Sequence, residues 1–140
     1  MVSNAGTMYD DVLVPTDGRE NTERAIEEAI SLAAIHDARV HALYVINSAA
    51  IAPGIDFEDL EAIGQQAVDY VTELAAEEGV TDVEKTVTHG LRHKAILTYA
   101  EDEDVDLIVM GRHGGIDRLF RRSVSDLVSE EATVPVLVVD

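Results

Sequence analysis

Two short stretches of this chain carry residue types that suit the holding of a small polar or anionic molecule. Pro15-Thr16-Asp17-Gly18 follows the apolar run Val12-Leu13-Val14, and Gly111-Arg112-His113-Gly114-Gly115 follows a second run, Val105 to Met110. Three glycines within residues 111–115 let a backbone turn tightly and approach a ligand closely. Successive amides in such a turn can cradle an anion. Arg112, Arg118, Arg121 and Arg122 crowd the same region, with Asp117 as the one acid among them, in a chain that has only 10 Lys and Arg residues. Ser123-Val124-Ser125-Asp126 is a near capping box with Asp in place of Glu. A helix starting at Ser123 adds free N–H groups and the positive end of a dipole. Phosphate is the anion this combination fits; the competing reading is that the arginines pair with acids elsewhere or stud a solvated helix. Asp17 has two readings of equal weight. Its carboxylate can accept hydrogen bonds from a ribose or adenine, or meet a metal held by phosphates, and Thr-Asp-Gly is also ordinary turn chemistry.

Other chemistries find little support. The chain has no cysteine, so thiol catalysis, disulfides and thiolate metal sites are excluded. His89 and His93 are separated by Gly90 and a change of element, which argues against a shared metal-binding face. No G-x-S-x-G and no Gly-Lys-Ser/Thr occurs, so neither a hydrolase elbow nor a Walker loop is present. With no Walker lysine and no clear general base, hydrolysis of a nucleotide would be slow at most. Net charge is −18, from 28 acids against 10 Lys and Arg. That argues against general affinity for nucleic acids and anionic membranes. Apolar residues still make up 46% of the chain, so the acids clothe a core. Such a shell repels itself in dilute buffer and is screened in molar salt, where the Debye length is about 3 Å, so a high-salt cytosol is expected. Residues 1–10 lack a basic stretch and an apolar core of a leader, and no apolar run approaches the ~20 residues of a membrane span; a cytoplasmic protein is expected.

These stretches are positioned by an alternation of two segment types. Val12–Val14, Val40–Ile46, Val83–Val87, Val105–Met110 and Val134–Val139 read as strands buried on both faces. Between them, Ala25, Ile26, Ala29, Ile30 and Ala33 recur at helical spacing, as do Phe57, Leu60, Ala67, Val71 and Leu74, then Ala95, Ile96, Tyr99 and Ala100, then Val124, Leu127 and Val128. The order β-α-β-α-β-α-β-α-β predicts one α/β domain over residues 1–140, with 1–8 as a flexible lead, a parallel sheet and helices on both faces. Residues 47–56 form a longer loop, read as a connector or a lid. In such sheets ligands bind beyond the carboxyl ends of the strands, where the strand order reverses. Asp17 and the glycine-rich stretch both follow strands, and the other strand ends are less pointed.

The residues from about Met8 to Asp140 resemble the universal stress protein family. Val12-Leu-Val-Pro-Thr-Asp17, Leu43-Tyr-Val-Ile46, Ala100 through Gly114, Ser123-Val-Ser-Asp126 and Val134-Pro-Val-Leu-Val-Val139 carry the resemblance. It implies a five-stranded parallel sheet of order 3-2-1-4-5, the adenine nucleotide alpha hydrolase-like arrangement. It also implies a homodimer paired through the last strand, Val134–Val139, which would cover an otherwise exposed edge. In the family's nucleotide-binding branch, Pro15, Asp17 and Val45 would line adenosine. Met110, Gly111 and Gly114 would form the loop, and Ser123 and Val124 would touch the phosphates of ATP, ADP or AMP, with Mg reached through the nucleotide and Asp17. This chain departs from the Gly-x2-Gly-x9-Gly-Ser/Thr pattern: its loop is two residues short, and Arg122 falls where a glycine is usual. Arg122 either crowds out a triphosphate or pairs with it. The resemblance thus implies an ATP-binding sensor or regulator, or a relative that has lost the nucleotide and acts through dimerisation and partner contacts.

Overall fold

The computed structural model describes residues 8–17, 20–47, 53–112 and 123–140. Five strands, β1 (Asp11–Pro15), β2 (Arg39–Asn47), β3 (Val83–Gly90), β4 (Leu107–Gly111) and β5 (Val136–Val139), alternate with α1 (Glu20–His36), α2 (Phe57–Glu77), α3 (Arg92–Asp102) and α4 (Val124–Glu131). The strands pair in parallel in the order β3-β2-β1-β4-β5, as expected. A parallel pair needs a crossover, and here each crossover is a helix.

Alternate residues of each strand face opposite ways, and the two faces build separate cores. Val12 and Val14 of β1, Val40 and Ala42 of β2, and Leu107 and Val109 of β4 pack under α1 and α2. Leu13, Leu43, Val45, Ile108 and Met110 point the other way, against Ile96 and Ala100 of α3 and Val128 of α4. Both sides being covered is why these strands read as unbroken apolar runs. Each fully buried Val, Leu or Ile contributes about 1.5–3 kcal/mol. On α1 the alanines at 25, 29 and 33 are buried and bring the helix close to the sheet. Gly64 does the same for α2: a Cβ there would lie 2.7 Å from Tyr44 Cδ1 and 3.0 Å from Val87 Cγ1.

Several expectations need adjustment. β3 is an edge strand with Glu84 and Lys85 exposed, so it is not buried on both faces. β5 starts at Val136 and not at Val134, because Pro135 has no N–H; its carbonyl still accepts from Ile108 N–H at 3.0 Å. Phe57 begins α2 but is exposed, its ring edge-on to His89 at 5.8 Å. Gly64, Ala67, Val68, Val71 and Ala75 form the buried stripe of that helix. Met8, placed by the sequence in a flexible lead, donates its amide to His36 Nδ1 at 2.8 Å. No helix among the described residues is long and apolar enough to cross a membrane.

Candidate functional site

The strand order reverses at β1, whose neighbours β2 and β4 are reached by crossovers on opposite sides of the sheet. A cleft opens there, at the carboxyl ends of the strands. Pro15, Thr16 and Asp17 form one wall as the chain leaves β1, and Val45 of β2 continues it. Met110 and Gly111 at the end of β4 form the facing wall, with Val124 and Ser125 from the first turn of α4. Thr22 of α1 and Arg92 and Ile96 of α3 close the sides. The space between these walls is about 40 Å³, room for a few waters.

Local bonding fixes each wall. Thr16 N–H donates to Leu43 O at 2.8 Å, which prolongs the β1–β2 ladder past Pro15 and holds the turn against β2. The Thr22 hydroxyl donates to Asp17 Oδ1 at 3.2 Å, so the carboxylate is tied to the first turns of α1. Both readings of Asp17 thus meet in one residue, which lines the cleft and also serves its own turn. The expected capping box at α4 is present: Asp126 N–H donates to Ser123 Oγ at 3.2 Å, and Ser123 N–H donates to Asp126 Oδ2 at 3.3 Å. Ser125 is buried, with its Oγ 3.0 Å from Ser123 Oγ.

Pro15, Asp17, Val45, Met110, Gly111 and Val124 therefore line one cleft. Ser123 sits one residue before the α4 wall, and its hydroxyl is engaged by the cap. Gly114 and Arg122 lie outside the described residues, as do Arg118, Arg121 and residues 48–52 of the 47–56 connector. Arg112 follows the competing reading: its N–H donates to Val139 O at 2.9 Å, and its Nε faces Asp140 Oδ1 at 3.6 Å. Thr16, Thr22, Arg92, Ile96 and Ser125 were not singled out by sequence. Asp17 is the one carboxylate on the described walls, and no group of three His, Asp or Glu residues able to hold a metal occurs among the described residues. A lone carboxylate flanked by hydroxyls fits Mg that arrives on phosphates, and not a cage made by protein alone.

The Universal stress protein family model matches residues 8–140. The chain belongs to the universal stress protein family. Universal stress protein MJ0531 of Methanocaldococcus jannaschii is 33% identical over 151 residues, covering 99% of this chain and 86% of that relative. Among solved structures, the universal stress protein UspA from Lactobacillus plantarum superposes with a TM-score of 0.80 at 28% identity, covering 96% of this chain and 99% of the other. A universal stress protein solved in complex with cAMP superposes with a TM-score of 0.78 at 24% identity, covering 94% and 97%. The fold places this family member's cleft at the one switch point of the sheet. A larger hollow, about 510 Å³, lies at the opposite end of the sheet beneath Leu97, Val105 and Val134. Its rim carries Glu101, Asp104 and Glu131, which would repel an anion.

Proposed function

We propose that this universal stress protein binds an adenine nucleotide in the cleft between the ends of β1 and β4 and serves as a homodimeric sensor or regulator in the stress response. The observation that supports this reading is the convergence of Pro15, Asp17, Val45, Met110, Gly111 and Val124 on one cleft from four separate elements. Val45 and Met110 offer apolar surface to a purine, with Ile96 buried behind them, and Asp17 offers an acceptor to ribose hydroxyls or an adenine amino group. Mg enters with the phosphates of ATP, within reach of Asp17. The same fold carries cAMP in one solved universal stress protein. Dimerisation through β5 buries an edge on which Leu137 is exposed. The acidic shell suits a cytoplasm of high salt, so stability rises from dilute buffer to molar KCl.

Thermal unfolding with Mg-ATP in molar KCl tests the nucleotide reading. A ligand at a hundred times its dissociation constant adds about 2.7 kcal/mol, a rise on the order of 10 °C in midpoint for a domain of this size. Asp17→Ala diminishes that rise. A second reading, a scaffold that acts through dimerisation and partner contacts alone, is favoured by the narrow cleft and by the engagement of Ser123 in its cap. An unchanged midpoint with ATP, ADP, AMP and cAMP decides for the scaffold.

A further inference from the structure

Arg92 opens α3 and lines the cleft beside Ile96. It is the one cation on the described walls, and its side chain is half-buried. Arg39 faces Asp82 at 3.0 Å, Lys85 faces Asp69 at 2.8 Å and Arg112 faces Asp140 at 3.6 Å, whereas Arg24, Arg92 and Lys94 make no ion pair among the described residues, and of these three Arg92 alone lines the cleft. No ion pair joins Arg92 to a carboxylate of the described residues, and the first turn of α3 carries no acid to draw it away. A guanidinium withheld from acids, partly desolvated and set in a cleft opposite a strand-end glycine, is suited to grip an oxyanion with paired N–H groups.

We infer that Arg92 holds a phosphate of the bound nucleotide and so makes the cleft select phosphorylated ligands over the bare nucleoside. This rests on the nucleotide reading above and adds to it the residue that reads the charge. Among the described walls, an anion entering beside Asp17 would otherwise meet hydroxyls and apolar groups, within the repulsive field of a chain of net charge −18.

The test is calorimetric titration of the full chain in molar KCl with ATP, AMP and adenosine, using the natural protein, Arg92→Gln and Arg92→Lys. Circular dichroism and the thermal midpoint verify that each variant is folded. In Arg92→Gln the dissociation constants for ATP and AMP rise roughly 10- to 100-fold, the scale of a charge-assisted contact, while adenosine changes by less than about twofold. Arg92→Lys retains the charge but not the paired N–H geometry and falls between. Should Arg92→Gln not fold, the Lys variant alone decides, since it too must weaken AMP more than adenosine. Equal loss for all three ligands, or no loss for AMP and ATP, overturns the assignment and leaves the nucleotide reading standing. A natural protein that takes up none of the three removes both.

Discussion

His41 lies inside the sheet, 1% exposed, with its Nε2 2.8 Å from Asp11 Oδ1 and its Nδ1 2.8 Å from Tyr99 Oη. An ionised carboxylate only accepts, so Nε2 carries the proton facing Asp11. In the tautomer with its proton on Nε2, Nδ1 accepts the Tyr99 hydroxyl. Tyr99→Phe deletes that donor and leaves a buried ring nitrogen without a partner, which costs about 1–3 kcal/mol. The phenol also bonds Thr86, so the single variant does not isolate the imidazole contact. A double-mutant cycle does. With His41→Leu as the second change, loss of the Thr86 bond is common to both backgrounds and cancels. The expected coupling between His41→Leu and Tyr99→Phe is about 1–2 kcal/mol. Urea unfolding of the four proteins at one molar KCl concentration, with equal m values, measures it. The same cost for Tyr99→Phe in both backgrounds would refute the argument, because it would mean that the 2.8 Å contact contributes nothing to the fold.

Burial pushes the Tyr99 phenol above its ordinary value of 10.0, aided by Glu103 and opposed by the hydrogen bond with Thr86. The folded value exceeds the unfolded one, so the associated stability is intact below about pH 10 and is lost as pH rises through the folded value; urea midpoints across that range fall for the natural protein more than for Tyr99→Phe. Gly64→Ala gains about 1 kcal/mol of helix propensity but drives a methyl against Tyr44 and Val87, an overpacking cost of about 1–3 kcal/mol. A urea midpoint below that of the natural protein is expected, and a higher one would show that α2 rides further from the sheet. Ser123→Ala removes the α4 cap and costs about 1 kcal/mol by the same measurement, while no change would mean that the capping box is inert.

The interior strands and α1 were legible because burial on both faces leaves an unmistakable apolar run, and because Ala25 to Ala33 repeat at one helical face. β3 was legible only in part. Its edge position is a property of the sheet, and Glu84 and Lys85 sit on it without breaking it. The strand-end rule found Asp17, Met110 and Gly111, since Asp17 follows β1 and Met110 and Gly111 end β4, the two strands at the reversal. It passed over Arg92, which follows the end of β3 by two residues, because Gly90-Leu91 looked unremarkable beside the glycine-rich stretch. Thr16, Thr22 and Ser125 are ordinary hydroxyl residues whose relevance lies in their direction, and direction is not written in residue type. His41 read as one scattered histidine among five; its partners Asp11 and Tyr99 lie 30 and 58 residues away and meet it only once the sheet is built.

The register joins Gly111 to Val139, and Arg112 reaches over to Asp140. Val139 and Asp140 are thus stitched to the backbone that walls the cleft. A fluorophore carried on the side chain at position 140 would sit at the rim of the pocket and report on it. A protein gripping the free edge of β5 would tug on the same backbone, one ladder step from whatever the cleft holds.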